Sequence, residues 1–170
     1  MEIVQLSLKN SYDLNELLSI VENSLDNSDF WLPINSKSRE NFFNIDWTRF
    51  YGAFIDDKLV GAVGLFFNQH EFGESLDVLK NNIVEVSECN SVVEIGRLMV
   101  HPKSRNKGVG KVLVKKVLES AIGYDLVIAT VHPDNTPSKS IFTDLGFTDG
   151  CTYTKKCGYI RTVMYIQTME

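Results

Sequence analysis

The stretch Val92–Lys111 constrains this chain of 170 residues more than any other. It begins with a mostly apolar run of strand length, which ends at His101 and Pro102 because proline cannot donate a hydrogen bond to a β-ladder. Two glycines, Gly108 and Gly110, come next, and beyond them the apolar residues adopt helical spacing. The pattern therefore predicts a buried strand, a loop, and a glycine-rich start of a helix.

The junction between loop and helix predicts a site for a phosphate or pyrophosphate. The first turn of a helix leaves backbone N–H groups unpaired and carries the positive end of the helix dipole. The two glycines let an anion approach that backbone, and Arg105, Lys107 and Lys111 add positive charge. The two best-known phosphate loops do not fit: a P-loop needs glycine where Arg105 stands, and a dinucleotide fingerprint needs glycine or alanine where Leu113 stands.

The hexapeptide Arg105–Gly110 (RNKGVG) resembles the R/Q-x-x-G-x-G/A signature of the GNAT superfamily of acyl-CoA-dependent N-acyltransferases. Leu98–Pro102 resembles the end of that family's fourth strand, and a second block, Asn135–Phe147, follows downstream. The resemblance is specific over residues 92–147 and loose elsewhere. It implies one N-acetyltransferase domain over residues 1–170, with acetyl-CoA as the cosubstrate.

The resemblance also implies an α/β (α+β) fold, a mixed and mostly antiparallel central sheet of about six or seven strands flanked by about four or five helices. Hydrophobic patterning predicts an early helix ending near Leu25, a second short helix around Phe42, and a further helix over residues 74–84. The fourth and fifth strands, predicted near 92–100 and 125–131, are expected to splay apart and leave a slot for pantetheine.

Three groups of residues are expected to bind the cosubstrate. Leu98, Met99 and Val100 border the slot on the fourth strand. The signature loop is expected to hold the pyrophosphate through its backbone N–H groups, while its basic side chains either contact the phosphates or stay solvated. The loop comprises Arg105, Asn106, Lys107, Gly108, Val109, Gly110 and Lys111. In the second block, Asn135 is expected to hydrogen-bond the pantetheine, next to Ser138 and Phe142.

Transfer of an acyl group from a thioester to an amine needs a base and an oxyanion donor. Glu94 is our candidate base, because it stands in an otherwise apolar strand and burial raises the pKa of a carboxylate. The alternative is a strand-surface ion pair with Arg97, and Glu85 and Glu88 are reserve bases. A backbone N–H near Met99 is the candidate oxyanion donor, which makes Glu94 and Met99 the predicted catalytic positions.

The second block departs from the family pattern at the position of the general acid. Members of the family commonly have a tyrosine there, which protonates the departing thiolate, whereas this chain has Phe142. The proton would then come from water, from Ser138, or from Tyr153 or Tyr159.

The acceptor is expected to be a primary amine on a small molecule or a peptide. Phe30, Trp31 and Trp47 are candidates for its pocket, with packing of aromatics on the sheet as the alternative. Residues 68–91 are rich in acidic side chains and form either a lid or a solvated segment. The net charge of −5 argues against a nucleic acid partner and is weakly in favour of a cationic acceptor.

Other features set broader bounds. The three cysteines show no metal-ligand spacing, so we expect reduced thiols, no metal and a cytoplasmic location. No apolar run approaches the ~20 residues that a membrane span needs. Members of the resembled family often dimerise through their C-terminal strands, so a homodimer is one expectation. Other functions left open are a non-catalytic acyl-CoA-binding module, transfer of a longer acyl group, and transfer to a hydroxyl.

Overall fold

The computed structural model describes residues 1–25, Phe30, and residues 48–67 and 69–168, without the side chains of residues 48, 70 and 71. Two of the candidate pocket aromatics, Trp31 and Trp47, lie outside the described residues, and so does the short helix predicted around Phe42.

A mixed sheet of seven strands, in the order β1-β2-β3-β4-β5-β7-β6, forms the centre of the described part of the chain. The β4–β5 pair is parallel, and the other neighbouring pairs are antiparallel. This confirms the predicted mixed and mostly antiparallel sheet. The strands are β1 (Glu2–Gln5), β2 (Thr48–Ile55), β3 (Lys58–Phe66), β4 (Val92–Val100), β5 (Leu126–Val131), β6 (Thr148–Thr154) and β7 (Ile160–Gln167).

Four α-helices flank the sheet within the described residues: α1 (Ser11–Glu22), α2 (Gln69–Asn82), α3 (Val109–Ser120) and α4 (Thr136–Asp144). Helix α2 begins five residues before the predicted start at Glu74. Its earlier first turn contains Phe72, which is buried on the same side as Leu76 and Leu79. None of the helices in the described ranges is long and apolar enough to cross a bilayer.

The two faces of the sheet have separate hydrophobic clusters. Helices α3 and α4 cover one face, where Val93 and Ile95 of β4 are buried. Helices α1 and α2 cover the opposite face, where α1 packs on Met99 and α2 packs on Val92. Because successive side chains of a strand alternate between faces, Glu94 belongs to the α1/α2 face, like its neighbour Val92.

Candidate active site

Strands β4 and β5 separate partway along their length. Their parallel pairing runs from Val92 opposite Leu126 to Glu94 opposite Ile128 and ends there. Beyond this point β4 stays paired with β3, up to Val100. The predicted splay of the fourth and fifth strands is therefore confirmed, and it begins at Glu94.

A β-bulge distorts β4 directly after the separation. Gly96 pairs with Gly64 and Met99 pairs with Ala62, so that two residues of β4, Arg97 and Leu98, lie opposite one residue of β3. Arg97 adopts a left-handed backbone with φ of 56°, which is uncommon for a residue with a side chain. Gly96 stands directly before this position, and glycine within a strand often marks a bulge, but no bulge was predicted in β4.

The register after the bulge refines the predicted oxyanion donor. The N–H of His101 donates to the carbonyl of Val60 on β3, at 2.8 Å. Since backbone N–H groups alternate in direction along a regular strand, the N–H of Met99 also points to β3, whereas that of Val100 points to the opening. The Met99 side chain is fully buried beside α1. The best-placed donor next to the predicted position is therefore the N–H of Val100.

A cleft of about 180 Å³ passes through the sheet at this opening. On the α1/α2 face it is lined by Phe30, Phe66, Glu94, Thr130, Lys155 and Arg161. On the α3/α4 face it is lined by Ile95, Leu98, Val131, Asn135, Ser138 and Phe142. The structure thus brings the predicted base, part of the predicted cofactor slot, and one candidate aromatic residue together in one cleft.

Glu94 is half-buried where the strands part, and its carboxylate is held by β5. The hydroxyl of Thr130 donates a hydrogen bond to Oε1 of Glu94, at 3.0 Å. Such a bond fixes the rotamer of the carboxylate. The reserve bases Glu85 and Glu88 are both exposed and do not line the cleft, so Glu94 is the best-placed candidate among them.

The signature loop has the geometry of an anion site. Gly108 begins α3 in a left-handed conformation with φ of 79°, and Asn106 is also left-handed with φ of 59°. The first backbone bond into the helix runs from the N–H of Val112 to the carbonyl of Gly108. Within the part of the chain that the structure describes, the N–H groups of residues 106–111 have no acceptor. This row of donors fits the predicted pyrophosphate site.

Gly110 allows close packing behind that loop. A Cβ atom at this position would lie 2.9 Å from Cδ1 of Ile141, on α4. The second signature glycine therefore lets α4 approach the first turn of α3, which brings the start of α4 to the cleft.

The basic side chains of the signature loop differ in their contacts. Arg105 differs from both predicted alternatives: its Nε donates to the carbonyl of Val100 at 3.3 Å, and its Nη2 donates to Oγ of Ser24 at 2.8 Å. It ties the loop to the end of β4 and to the segment after α1. Lys111 forms an ion pair with Asp144 of α4, at 2.9 Å. Lys107 is exposed and is the loop cation that remains available for a phosphate.

The second block, Asn135–Phe147, borders the cleft but contains no tyrosine that could act as the general acid. Oδ1 of Asn135 caps α4 by accepting from the N–H of Ser138, at 3.3 Å. Phe142 is 3% exposed and packs edge-on against Phe147. No tyrosine is among the described residues that line the cleft, so Ser138 and water are the proton donors that remain at this site.

The two candidate tyrosines do not line the cleft, but each contacts a cation that does. The hydroxyl of Tyr153 lies 2.7 Å from that of Ser75 and accepts from Nζ of Lys155 at 3.2 Å. The ring of Tyr159 lies 5.6 Å from the guanidinium carbon of Arg161. Arg161 and Lys155 themselves line the cleft, and neither was predicted, because the pairing of β7 with β5 that brings them there has no signal in the local sequence.

The acidic segment 68–91 is packed more firmly than a lid would be. Phe72 and Leu79 of α2 are buried against the sheet. Oε1 of Glu74 accepts from the backbone N–H of Lys156, at 2.7 Å, so that α2 is tied to the turn after β6. Within the described residues, no group of three His, Cys, Asp or Glu side chains could hold a metal ion.

Two sequence comparisons give different coverage. The pattern of the Acetyltransferase (GNAT) family matches residues 17–147. The UPF0157 protein YqkA of Bacillus subtilis (strain 168) is 25% identical over 118 residues, which is 69% of this chain. The chain spans only 28% of the length of that relative.

Solved structures share the fold at low identity. The protein yncA of Salmonella typhimurium, solved with its cofactor acetyl-CoA, is 17% identical with a TM-score of 0.73, over 100% of this chain and 95% of that one. The ribosomal-protein-S18-alanine N-acetyltransferase of Escherichia coli is 12% identical with a TM-score of 0.69, over 99% and 94%. The protein smu.2055 of Streptococcus mutans UA159 is 21% identical with a TM-score of 0.69, over 99% and 100%. Since the family pattern matches well over half of the sequence, the chain belongs to the GNAT family of acetyltransferases.

Proposed function

We propose that this protein transfers an acetyl group from acetyl-CoA to a primary amine, by direct attack of the amine within a ternary complex. The observation that supports this most is the position of Glu94, a carboxylate held by Thr130 at the point where β4 and β5 part. A cleft through the sheet there lets a donor and an acceptor meet from opposite faces.

The donor side has the groups that coenzyme A requires. The N–H groups of residues 106–111 and the exposed ammonium of Lys107 suit the pyrophosphate. The open edge of β4 beyond Glu94 offers backbone hydrogen bonds to the two amides of pantetheine, in the manner of an added strand. The Nδ2 group of Asn135 extends from the start of α4, whose cap uses only the Oδ1 atom.

The acceptor side supplies the base. A free alkylamine has a pKa near that of lysine, about 10.4, and must lose a proton before it attacks. Glu94 takes this proton, directly or through a water. The N–H of Val100 stabilises the negative charge on the thioester oxygen in the transition state. The thiolate departs on the α4 side, where Ser138 or water protonates it. No cysteine lines the cleft among the described residues, which favours direct transfer over a covalent intermediate.

The main alternative is a module that binds acyl-CoA without catalysis, and Phe142 at the usual position of the acid favours it. Thiolates are good leaving groups, so the missing tyrosine does not by itself prevent turnover. Donors with longer acyl groups and hydroxyl acceptors are catalytic alternatives, which the same assay tests by changing one substrate at a time.

The test compares Glu94→Gln with Glu88→Gln, a matched change at an exposed reserve base. Thiol release from acetyl-CoA is measured over a panel of primary amines, in a Cys157→Ser background because Cys157 is exposed and reacts with the reagent. We expect Glu94→Gln to lose about 100-fold in kcat, the lower range for a general base, and to keep its affinity for CoA. Equal rates for the two variants would reject Glu94 as the base, and binding without turnover would favour the non-catalytic module.

A further inference from the structure

Among the described residues, the charged side chains that line the cleft are mostly cations. Glu94 is the one carboxylate among the described lining residues, against Arg97, Lys155 and Arg161. This is unexpected in a chain whose net charge is −5. A further carboxylate, that of Glu74, lies close by, with its Oε2 3.8 Å from Nζ of Lys155. Even with Glu74 counted, cations outnumber carboxylates among the described residues at this site.

Two of the three cations, Lys155 and Arg161, line the cleft on the α1/α2 face of the sheet, which is the acceptor side. Arg161 is 2% exposed and stands on β7 in the same alternation as Val163, which is buried under α2. Its partner across the β6–β7 pairing is Tyr153, two residues before Lys155. The side chain of Lys155 is only 13% exposed. Both side chains also have hydrogen-bond partners within the protein, and both line the cleft.

The same cations are unsuited to the phosphates of coenzyme A. The row of N–H donors that suits the pyrophosphate belongs to the start of α3, which packs on the opposite face of the sheet. No residue of 105–111 lines the cleft. Lys155 and Arg161 therefore lie on the side where the acceptor approaches Glu94.

We propose that the acceptor amine also carries an anionic group, a carboxylate or a phosphate, which Lys155 and Arg161 bind while Glu94 faces the amine. This rests on the proposed function, and it replaces the weak expectation of a purely cationic acceptor. A cleft that holds one carboxylate among cations is complementary to a molecule with one ammonium and one anion. A polyamine would bring further positive charge to Lys155 and Arg161 and is disfavoured.

The test uses matched pairs of amines that differ only in the anion. Amino acids are compared with their carboxamides, and phosphoethanolamine with ethanolamine, which separates carboxylate from phosphate. Each compound is scored by thiol release with acetyl-CoA and by the shift in melting temperature that it gives in the presence of CoA. We expect the anionic member of at least one kind of pair to exceed its neutral partner about tenfold in kcat/KM, because a site with buried polar groups rejects analogues that leave them unpaired.

Lys155→Gln is the variant, and Lys156→Gln is its control. Lys156 is exposed and lies one residue outside the cleft. We expect Lys155→Gln to lose most of the preference for the anionic member, at least fivefold, while Lys156→Gln keeps it. Retained preference in Lys155→Gln would overturn the assignment of this residue.

The outcomes separate this inference from the proposed function. If the neutral and anionic members of each pair give equal rates of thiol release and equal shifts in melting temperature, the anionic acceptor is rejected. The same holds if neither member gives a response. Neither result by itself rejects the proposed acetyltransferase function. If acetyl-CoA does not bind at all, the proposed function itself fails. Equal turnover of neutral and anionic amines with acetyl-CoA would keep the proposed function and overturn only the inference.

Discussion

At the scale of single residues, the candidate site depends on a few hydrogen bonds that link neighbouring elements. Thr130 holds Glu94 across the opening between β4 and β5. Arg105 joins the signature loop to the carbonyl of Val100 and to Ser24. The sequence singled out Glu94 and Arg105 by their setting and motif, but it did not show their partners, which lie 36 and up to 81 positions away in the chain.

Replacing Thr130 tests whether its hydroxyl positions the base. We expect Thr130→Val to lower kcat about tenfold, since one hydrogen bond to a charged group contributes about 1.5 kcal/mol or more. Affinity for CoA should not change. Thr130→Ser keeps the hydroxyl and should keep most of the rate. Steady-state kinetics on both variants measure this, and similar rates for valine and serine would show that the hydroxyl has no part in catalysis.

At the scale of elements, the central region was predictable and the irregularities were not. The apolar run before His101, the glycines of the signature and the splay of β4 from β5 all followed from local pattern and the family resemblance. The bulge at Arg97 did not, because a left-handed arginine leaves no signal in composition. The cationic lining of the cleft was missed for a related reason: Lys155 and Arg161 reach it through the pairing of β7 with β5, which does not follow from local pattern.

The contact between β3 and α3 gives an element-scale prediction. A Cβ atom at Gly61 would lie 2.9 Å from Cγ1 of Val109 and 3.1 Å from the carbonyl oxygen of Met99. We expect Gly61→Ala to destabilise the protein by about 1–3 kcal/mol, because overpacking forces α3 away from the sheet. The measurement is denaturant unfolding.

The control for this change is Gly73→Ala, within α2. A Cβ atom there would meet no heavy atom within 4 Å. Since alanine is a better helix former than glycine, we expect this variant to be about 0.5–1 kcal/mol more stable than the wild type. Opposite signs for the two alanines would support the packing; equal effects would contradict it.

At the scale of the whole molecule, the sheet is held together at one end of β4 and β5 and open at the other. Oδ2 of Asp125 accepts from the backbone N–H groups of Ser91 and Asn90, at 2.9 and 3.1 Å, just before the paired ends of the two strands. These bonds, with that of Ser91 the stronger, hold the pKa of the Asp125 carboxyl below its usual range. The closed end fixes the geometry from which the open end diverges.

The lowered pKa sets the direction of a pH effect. A carboxyl whose pKa is lower in the folded state contributes stability above its unfolded pKa of about 3.9, and this contribution disappears as the pH falls through the folded pKa. We expect Asp125→Ala to shift the urea midpoint downward at pH 7 and to shift it less near pH 3. Asp125→Asn keeps an acceptor oxygen, so its urea midpoint should lie between those of the wild type and Asp125→Ala. A deficit of Asp125→Ala that does not vary with pH would contradict the account.

The central claim is that acetyl-CoA binds with its pyrophosphate on the start of α3. It is tested most directly by calorimetric titration of acetyl-CoA into the wild type, Gly108→Glu and Gly123→Glu. Both glycines have positive φ and would place a Cβ atom in open space, but Gly123 lies at the other end of α3. Binding by the wild type and Gly123→Glu that Gly108→Glu abolishes is the predicted result. No binding by the wild type, or equal binding by all three proteins, would contradict it.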